Sequence, residues 1–283
     1  MKKTRPYSLT RSRRWLQGTA VLGTFLIGLR HVMPGAGSSG GSFDAFCPFG
    51  GVETLLPYLL TGQTLKTTNL LNFSLLLGVV GVSLLAGRAF CGWLCPLGAV
   101  QDGLAWLARR LSGEKRHIRG KKSKARFPIK LPPTADKWLR YAKYLILGLI
   151  VWVSVTAVYP PLHFLCPVRA VFSFQLKTPL LWSVLITFIV TSLLVERFWC
   201  KYLCPLGALI AVTNKFAPLH IAIDQERCNN CGRCDAECPM DIIEVSANTR
   251  DAECIRCLEC VETCARQETI VLELGTKVKS HAN

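Results

Sequence analysis

The chain has 283 residues, half of them hydrophobic, and a formal net charge of +16. That composition excludes an ordinary soluble domain of this charge and makes a membrane chain the first expectation. The charge is uneven: residues 1–220 carry 27 Lys and Arg against 6 Asp and Glu, a balance of +21, while residues 221–283 carry 7 against 12, a balance of −5.

In chain order, a basic stretch over residues 1–14 holds Lys2, Lys3, Arg5, Arg11, Arg13 and Arg14. An uncharged run from Trp15 to Leu29 then predicts a first transmembrane helix, because roughly 20 apolar residues cross the hydrocarbon. Ser12-Arg13-Arg14-Trp15-Leu16, with Ala36-Gly37-Ser38 downstream, also fits a twin-arginine signal, whose cleavage would remove one helix and leave the remaining topology. A second span is predicted from about Thr67 to Gly87. The stretch from Arg109 to Arg140 carries twelve Lys and Arg and reads as a basic cytoplasmic loop against anionic headgroups. It lacks a binding fold and interleaved aromatics, so it predicts no nucleic acid. A third span is predicted from Tyr144 to Val168, leaving the membrane at Pro160-Pro161, and a fourth from Thr178 to Val195. Trp15, Tyr144, Tyr159, Trp182 and Trp199 fall near the predicted ends, where amphipathic rings prefer the interface. The outer loops carry little beyond Lys66 in one and Arg169 and Lys177 in the other. The positive-inside rule therefore places both termini in the cytoplasm, on a cytoplasmic (inner) membrane.

The region before residue 220 reads as two copies of one unit. The first has a helix, Cys47-Pro48, a second helix and Arg88-Ala-Phe-Cys91-Gly-Trp-Leu-Cys95-Pro96-Leu-Gly-Ala99. The second has a helix, Cys166-Pro167, a second helix and Arg197-Phe-Trp-Cys200-Lys-Tyr-Leu-Cys204-Pro205-Leu-Gly-Ala208. Both copies run in–out–in, so they are expected to relate by a pseudo-two-fold along the membrane normal. In Cys-x-x-x-Cys-Pro the thiols share one helical face, and the proline ends or bends the helix at the second Cys. Cys91, Cys95, Cys200 and Cys204 read either as packing residues or as thiols beside an electron path: ligands, redox pairs or a docking wall. Cys47 and Cys166 are expected at the outer face as redox thiols or ligands, unless the loop around Phe43–Leu60 re-enters the membrane.

Beyond residue 220, Cys228-x2-Cys231-x2-Cys234-x3-Cys238-Pro239 has the spacing of bacterial 4Fe-4S ferredoxins, and it recurs as Cys254-x2-Cys257-x2-Cys260-x3-Cys264. In two-cluster ferredoxins the fourth ligand crosses over. Cys228, Cys231, Cys234 and Cys264 are thus expected on one cluster, and Cys254, Cys257, Cys260 and Cys238 on the other. Zinc sites pair two Cys-x2-Cys knuckles over a longer gap, often with His, and neither feature is present. Short strands are predicted at His220–Asp224, Ile242–Val245 and Thr269–Leu274, with a short helix after each cysteine run. The acidic residues Asp235, Glu237, Asp241, Glu259 and Glu262 read mainly as a solvated face. The expected fold is an α-helical membrane protein of four transmembrane helices, in two tandem helix-pair repeats, with a C-terminal α+β ferredoxin domain holding two 4Fe-4S clusters. The expected division is 1–14 basic N-terminus, 15–108 first repeat, 109–140 basic loop, 141–219 second repeat, 220–276 ferredoxin domain and 277–283 tail.

On these motifs the chain resembles the NapH type of membrane quinol dehydrogenase subunit, and it is similar to the polyferredoxin half of NosR-type regulators and to YccM-like proteins. The resemblance rests on Cys91, Cys95, Cys200, Cys204 and the eight ferredoxin cysteines, and covers nearly the whole chain. It implies electron transfer from membrane quinol, in the lipid bilayer, to a redox partner such as a ferredoxin, flavoprotein or cytochrome. Arg88, Glu196 and Arg197, near the inner interface, and His163, near the outer, are the candidate quinol-site residues. For the arginines the plainer reading is snorkelling to headgroups. His31 is a further outer-face histidine, and no Cys-x-x-Cys-His marks a covalent haem. The competing functions are a membrane-anchored ferredoxin without a quinone site and a redox-sensing or maturation factor for a respiratory metalloenzyme.

Overall fold

The computed structural model describes residues 9–32, 50–52, 55, 70–113, 128–157, 165–173, 178–242, 250–264, 266 and 269–275. Cys47, His163, the outer residues Ala36–Ser38, Lys66 and Lys177, most of the basic loop and the tail lie outside them, as does the side chain of His31.

The first half holds α1 (Leu9–Val32), α2 (Leu70–Ala86), α3 (Ala89–Trp93) and α4 (Pro96–Leu111). The second holds α5 (Pro133–Ala157), α6 (Pro167–Phe172), α7 (Pro179–Leu194), a π-helical turn at Trp199–Leu203 and α8 (Pro205–Asn214). Helices α4 to α8 each open on a proline. Its fixed φ suits a first helical turn, where its missing N–H costs nothing.

The two halves interlock. Within each, the first helix packs on its own motif: α1 on α3 and α4, α5 on the π turn and α8. Between them, α4 packs against α7 and α8 against α2. The outward faces stay apolar, with Trp15, Leu22 and Leu26 on α1, Leu77 and Leu84 on α2, Leu145 and Trp152 on α5, and Trp182 and Ile186 on α7 exposed.

The helices depart from the predicted spans. Helix α1 begins six residues before Trp15, and α5 begins at Pro133, inside the predicted basic loop, and ends at Ala157. Residues 165–168 belong to a separate short segment opened by the Cys166-Pro167 step, which cannot continue a helix from before. Only Pro133–Thr156 is both long and apolar enough to cross a membrane among the described helices; Asn72–Ala86 and Pro179–Leu194 are apolar but shorter.

The C-terminal unit pairs β1 (Leu219–Ile223) with β2 (Ile270–Leu274) antiparallel, Leu219 opposite Leu274 and Ile223 opposite Ile270. Helices α9 (Arg233–Ala236) and α10 (Glu259–Thr263) each begin one residue before the third cysteine of a run and carry it in their first turn. Of the strand predicted at Ile242–Val245, only Ile242 is described. One buried core runs from Val79 of α2 and Ile210 of α8 into Ile221, Met240, Ile255, Leu258 and Val261. The ferredoxin unit is therefore fused to the helical region, not tethered to it.

Candidate iron–sulfur sites

Each cysteine run curls around a centre by placing left-handed residues at matching offsets. Asn230 (φ 49°) and Gly232 (φ 66°) do so in the first run, Arg256 (φ 49°) and Leu258 (φ 62°) in the second. These reversals let the chain curl so that two thiols come before the short helix and the third stands in its first turn. A cavity of about 290 Å³ is lined by Cys228, Cys231 and Cys234 from the first run and Cys264 from the second, with Ile223 and Ile270. A tighter one, of about 30 Å³, is lined by Cys254, Cys257 and Cys260 with Cys238 from the first run, and by Ile221, Met240 and Ile255. Each cavity thus takes three thiols from one run and one from the other, a donor set and apolar lining that fit a 4Fe-4S cubane. Cys231 is exposed, whereas Cys257 and Cys260 are buried, so one centre faces solvent and the other the helices. Burial pushes the Cys254 and Cys238 thiols up to about 11, so binding iron there must displace protons. No disulfide joins two of the described cysteines.

The two Cys-x-x-x-Cys-Pro motifs meet between the halves. In each, the last turn widens: Cys95 N–H donates to Phe90 O (3.0 Å) and Cys204 N–H to Trp199 O (2.9 Å), both five residues back. Such π turns concentrate at functional sites. The second Cys of each motif then leaves the helix, Cys95 at φ −66°, ψ 116° and Cys204 at φ −73°, ψ 111°, as the proline after it requires. Cys166 takes the same extended geometry before Pro167.

The two arginines are exchanged. Arg88 of the first copy donates through Nη2 to Cys200 O (3.3 Å), and Arg197 of the second through Nη1 to Cys91 O (3.0 Å). Arg197 also forks onto Asp102 with two 2.6 Å bonds, and Arg88 pairs with Glu253 at 2.6 Å. Both side chains are fully buried, so neither snorkels; the headgroup reading is corrected because each guanidinium has a buried carboxylate and a partner-copy carbonyl to satisfy it. Arg13 and Gln17 of α1 also bond Asp102, at 2.9 and 2.8 Å. Burial alone would raise the Asp102 carboxyl, but Arg197 and then Arg13 outweigh it and hold it at about 2. Glu196 is the opposite case: burial lifts its carboxyl above the usual range despite its pairing with Arg109.

Three of the acidic residues of the ferredoxin unit, Asp241, Glu259 and Glu262, are not a free solvated face. Asp241 pairs with the buried Lys201 and, at 2.9 Å, with Lys130; Glu259 pairs with Arg13 at 3.1 Å; Glu262 accepts from Thr10 N at 2.8 Å. Lys143 of α5 pairs with Glu253 beside Arg88. For Asp241 and Glu259 the reading is corrected because a basic partner lies in the same chain, and for Glu262 because α1 supplies the Thr10 donors. Asp102 and Gln101 were not singled out from the sequence, although a signal existed: the second copy has Ala211 and Ile210 in their places, so the repeat breaks there.

A family described as "4Fe-4S binding domain" matches residues 68–114 and again 178–222, once on each copy. A "4Fe-4S dicluster domain" family matches residues 220–265. The chain is 31% identical over 244 residues to the putative electron transport protein YccM of Escherichia coli, covering 83% of this chain and 64% of that protein. The ferredoxin-type protein NapH of Haemophilus influenzae is 29% identical over 74% of this chain and 72% of its own length. NapH of Escherichia coli is 27% identical over 95% and 93%. The chain thus spans under two thirds of YccM, and no solved structure matches it. One family matching both copies, a dicluster family on the ferredoxin unit and these relatives agree: the chain is similar to the NapH- and YccM-like polyferredoxins along most of its length.

Proposed function

We propose that this chain is a membrane-embedded electron carrier that takes electrons from membrane quinol and passes them through two 4Fe-4S clusters to a redox partner. The observation that carries the reading is the pair of four-cysteine cavities, one exposed and one buried, with the buried one against the helical region. Cys228, Cys231, Cys234 and Cys264 hold the outer cluster; Cys254, Cys257, Cys260 and Cys238 hold the inner one. Bound there, each cluster would supply one-electron storage, letting a two-electron donor feed one-electron steps.

Supporting the membrane placement are the apolar outward faces of α1, α2, α5 and α7, too extensive for a soluble monomer. In this reading those four helices cross the bilayer, repeats 15–108 and 141–219 build the membrane part, and both termini face the cytoplasm with the 220–276 domain. The chain's own residues dock that domain, through Arg13, Arg88, Lys143 and Lys201, and hold it in one orientation. Glu196 is the candidate acceptor for a proton released as quinol is oxidised.

The test is anaerobic reduction of the purified chain by a quinol analogue, followed by bleaching of the broad cluster absorbance. Bleaching by quinol is expected. Reduction by dithionite but by no quinol would leave only a membrane-anchored ferredoxin; electron transfer intact but a partner metalloenzyme inactive would point to a maturation factor.

A further inference from the structure

Helix α4 is built the opposite way from a helix at a protein–water boundary, which turns apolar side chains in and polar ones out. Its polar residues point inward. Gln101 is fully buried and accepts from Trp199 N at 3.1 Å, and Asp102 faces Arg197, Arg13 and Gln17. Its large apolar residues point outward: Trp106 is 53% exposed, Leu111 is 78% exposed, and Leu107 stands beside them. A face of this kind is unfavourable against water and suited to lipid.

The helix lies along the inner membrane level instead of crossing it. At its start the chain abuts the ferredoxin unit: a Cβ on Gly92 would lie 2.4 Å from Ile255 O, and Trp93 Nε1 donates to Arg256 O at 2.9 Å. At its end Arg109 pairs with Glu196, two residues past α7. Both ends are therefore held on the ferredoxin side. Its 16 residues span only about 24 Å, short of the ~30 Å of hydrocarbon.

Charge and continuity name what covers this face. Arg109 and Arg110 close the helix. Arg110 is exposed, with its Cζ 5.3 Å from the centroid of the Trp106 ring. A ring at the acyl boundary under a cation at phosphate level is the arrangement of an interfacial helix. The neighbours on which α4 packs continue the apolar surface, with Trp15 and Leu16 exposed on α1 and Val190 and Leu194 on α7. The second copy repeats the device. Phe216, as far beyond Pro205 as Leu107 is beyond Pro96, is exposed beside the exposed Lys215, while Asn214 turns inward.

Resting on the membrane reading above, we propose that α4 is an interfacial helix of the cytoplasmic leaflet: Trp106, Leu107 and Leu111 enter the acyl boundary, and Arg110 binds the phosphate of an anionic phospholipid. Because the inward face of α4 grips Arg197 and Arg13, and the turn before it abuts the ferredoxin unit, this seat fixes the height of that unit above the bilayer.

The test is lipid retention by the full-length, cluster-loaded chain, exchanged in detergent with equal amounts of phosphatidylglycerol and phosphatidylcholine and read by native mass spectrometry. The unaltered chain should keep phosphatidylglycerol in preference. Arg110→Ala should lower that preference about fivefold, the worth of one surface cation, Arg110→Lys should restore it, and Trp106→Ala should lower the total lipid retained, all with iron content unchanged. Equal retention of the two lipids, or alanine variants that hold as much phosphatidylglycerol as the unaltered chain, overturns the inference alone. So does a dimer that Trp106→Ala splits, since a second copy would then cover the face. A chain that stays dispersed and monomeric without detergent or lipid would instead overturn the membrane reading beneath it.

Discussion

Gly87 and Arg197 stand at nearly the same place in the two copies and solve one geometric problem differently. Gly87 has φ 52°, and a Cβ there would lie 1.9 Å from Asn214 Oδ1. Gly87→Ala therefore adds a clash with the Asn214 and Arg256 side chains to a left-handed strain of about 1–2 kcal/mol; thermal unfolding in detergent should show the variant clearly destabilised. In the second copy the left-handed residue is Arg197 itself, at φ 54°, held there by its fork onto Asp102. Asp102 keeps its charge well below neutral pH. Its stabilisation is present above the ordinary aspartate range and is lost only as pH falls through about 2. Glu196 carries the pH prediction. As a base it must be ionised, so quinol oxidation should rise with pH through a midpoint above the usual glutamate value, because burial raises its carboxyl. Glu196→Gln should abolish that rise and cut turnover by about 10²-fold, with iron content unchanged.

At the scale of elements, the copies lock through exchanged contacts. Each motif hands an arginine to the other's π turn, and α4 and α8 each pack on the opposite copy's apolar helix. Helix α8 has a further duty at its end. Asn214 Oδ1 accepts from Arg88 N at 3.1 Å, while Nδ2 donates to Asp251 O and Cys254 O at 2.6 and 2.8 Å. One amide thus joins the first copy, the second copy and the ferredoxin unit. Asn214→Ala strips three bonds and leaves buried groups without partners, at about 1–3 kcal/mol each. The expected result is a lowered melting temperature and faster protease cleavage between α8 and β1.

For the whole molecule, the opposite charges of the two regions are an internal fit. Glu253 answers both Arg88 and Lys143, with Arg140 at 4.0 Å. Removing one side of a buried pair leaves its partner charged and dry, at roughly 3–5 kcal/mol. Glu253→Gln should therefore loosen the ferredoxin unit, read as increased hydrogen exchange over β1, β2 and the cysteine loops. The proposed topology has its own check: a fluorescent reporter fused after Asn283 should be active and a periplasmic phosphatase fused there inactive. The opposite pattern would invert the membrane arrangement.

The sequence alone carried the local, periodic information. Cysteine spacing defined the two four-thiol runs, proline positions marked where helices begin, and the repeated motif exposed the duplication. Such features depend on neighbours a few residues apart. What required the folded chain was every relation between distant segments: the arginines exchanged across the copies, and the acidic residues answered by basic ones some 40 to 246 positions away. No spacing rule predicts these, because a buried charge is paid for only by the partner that tertiary packing happens to bring beside it.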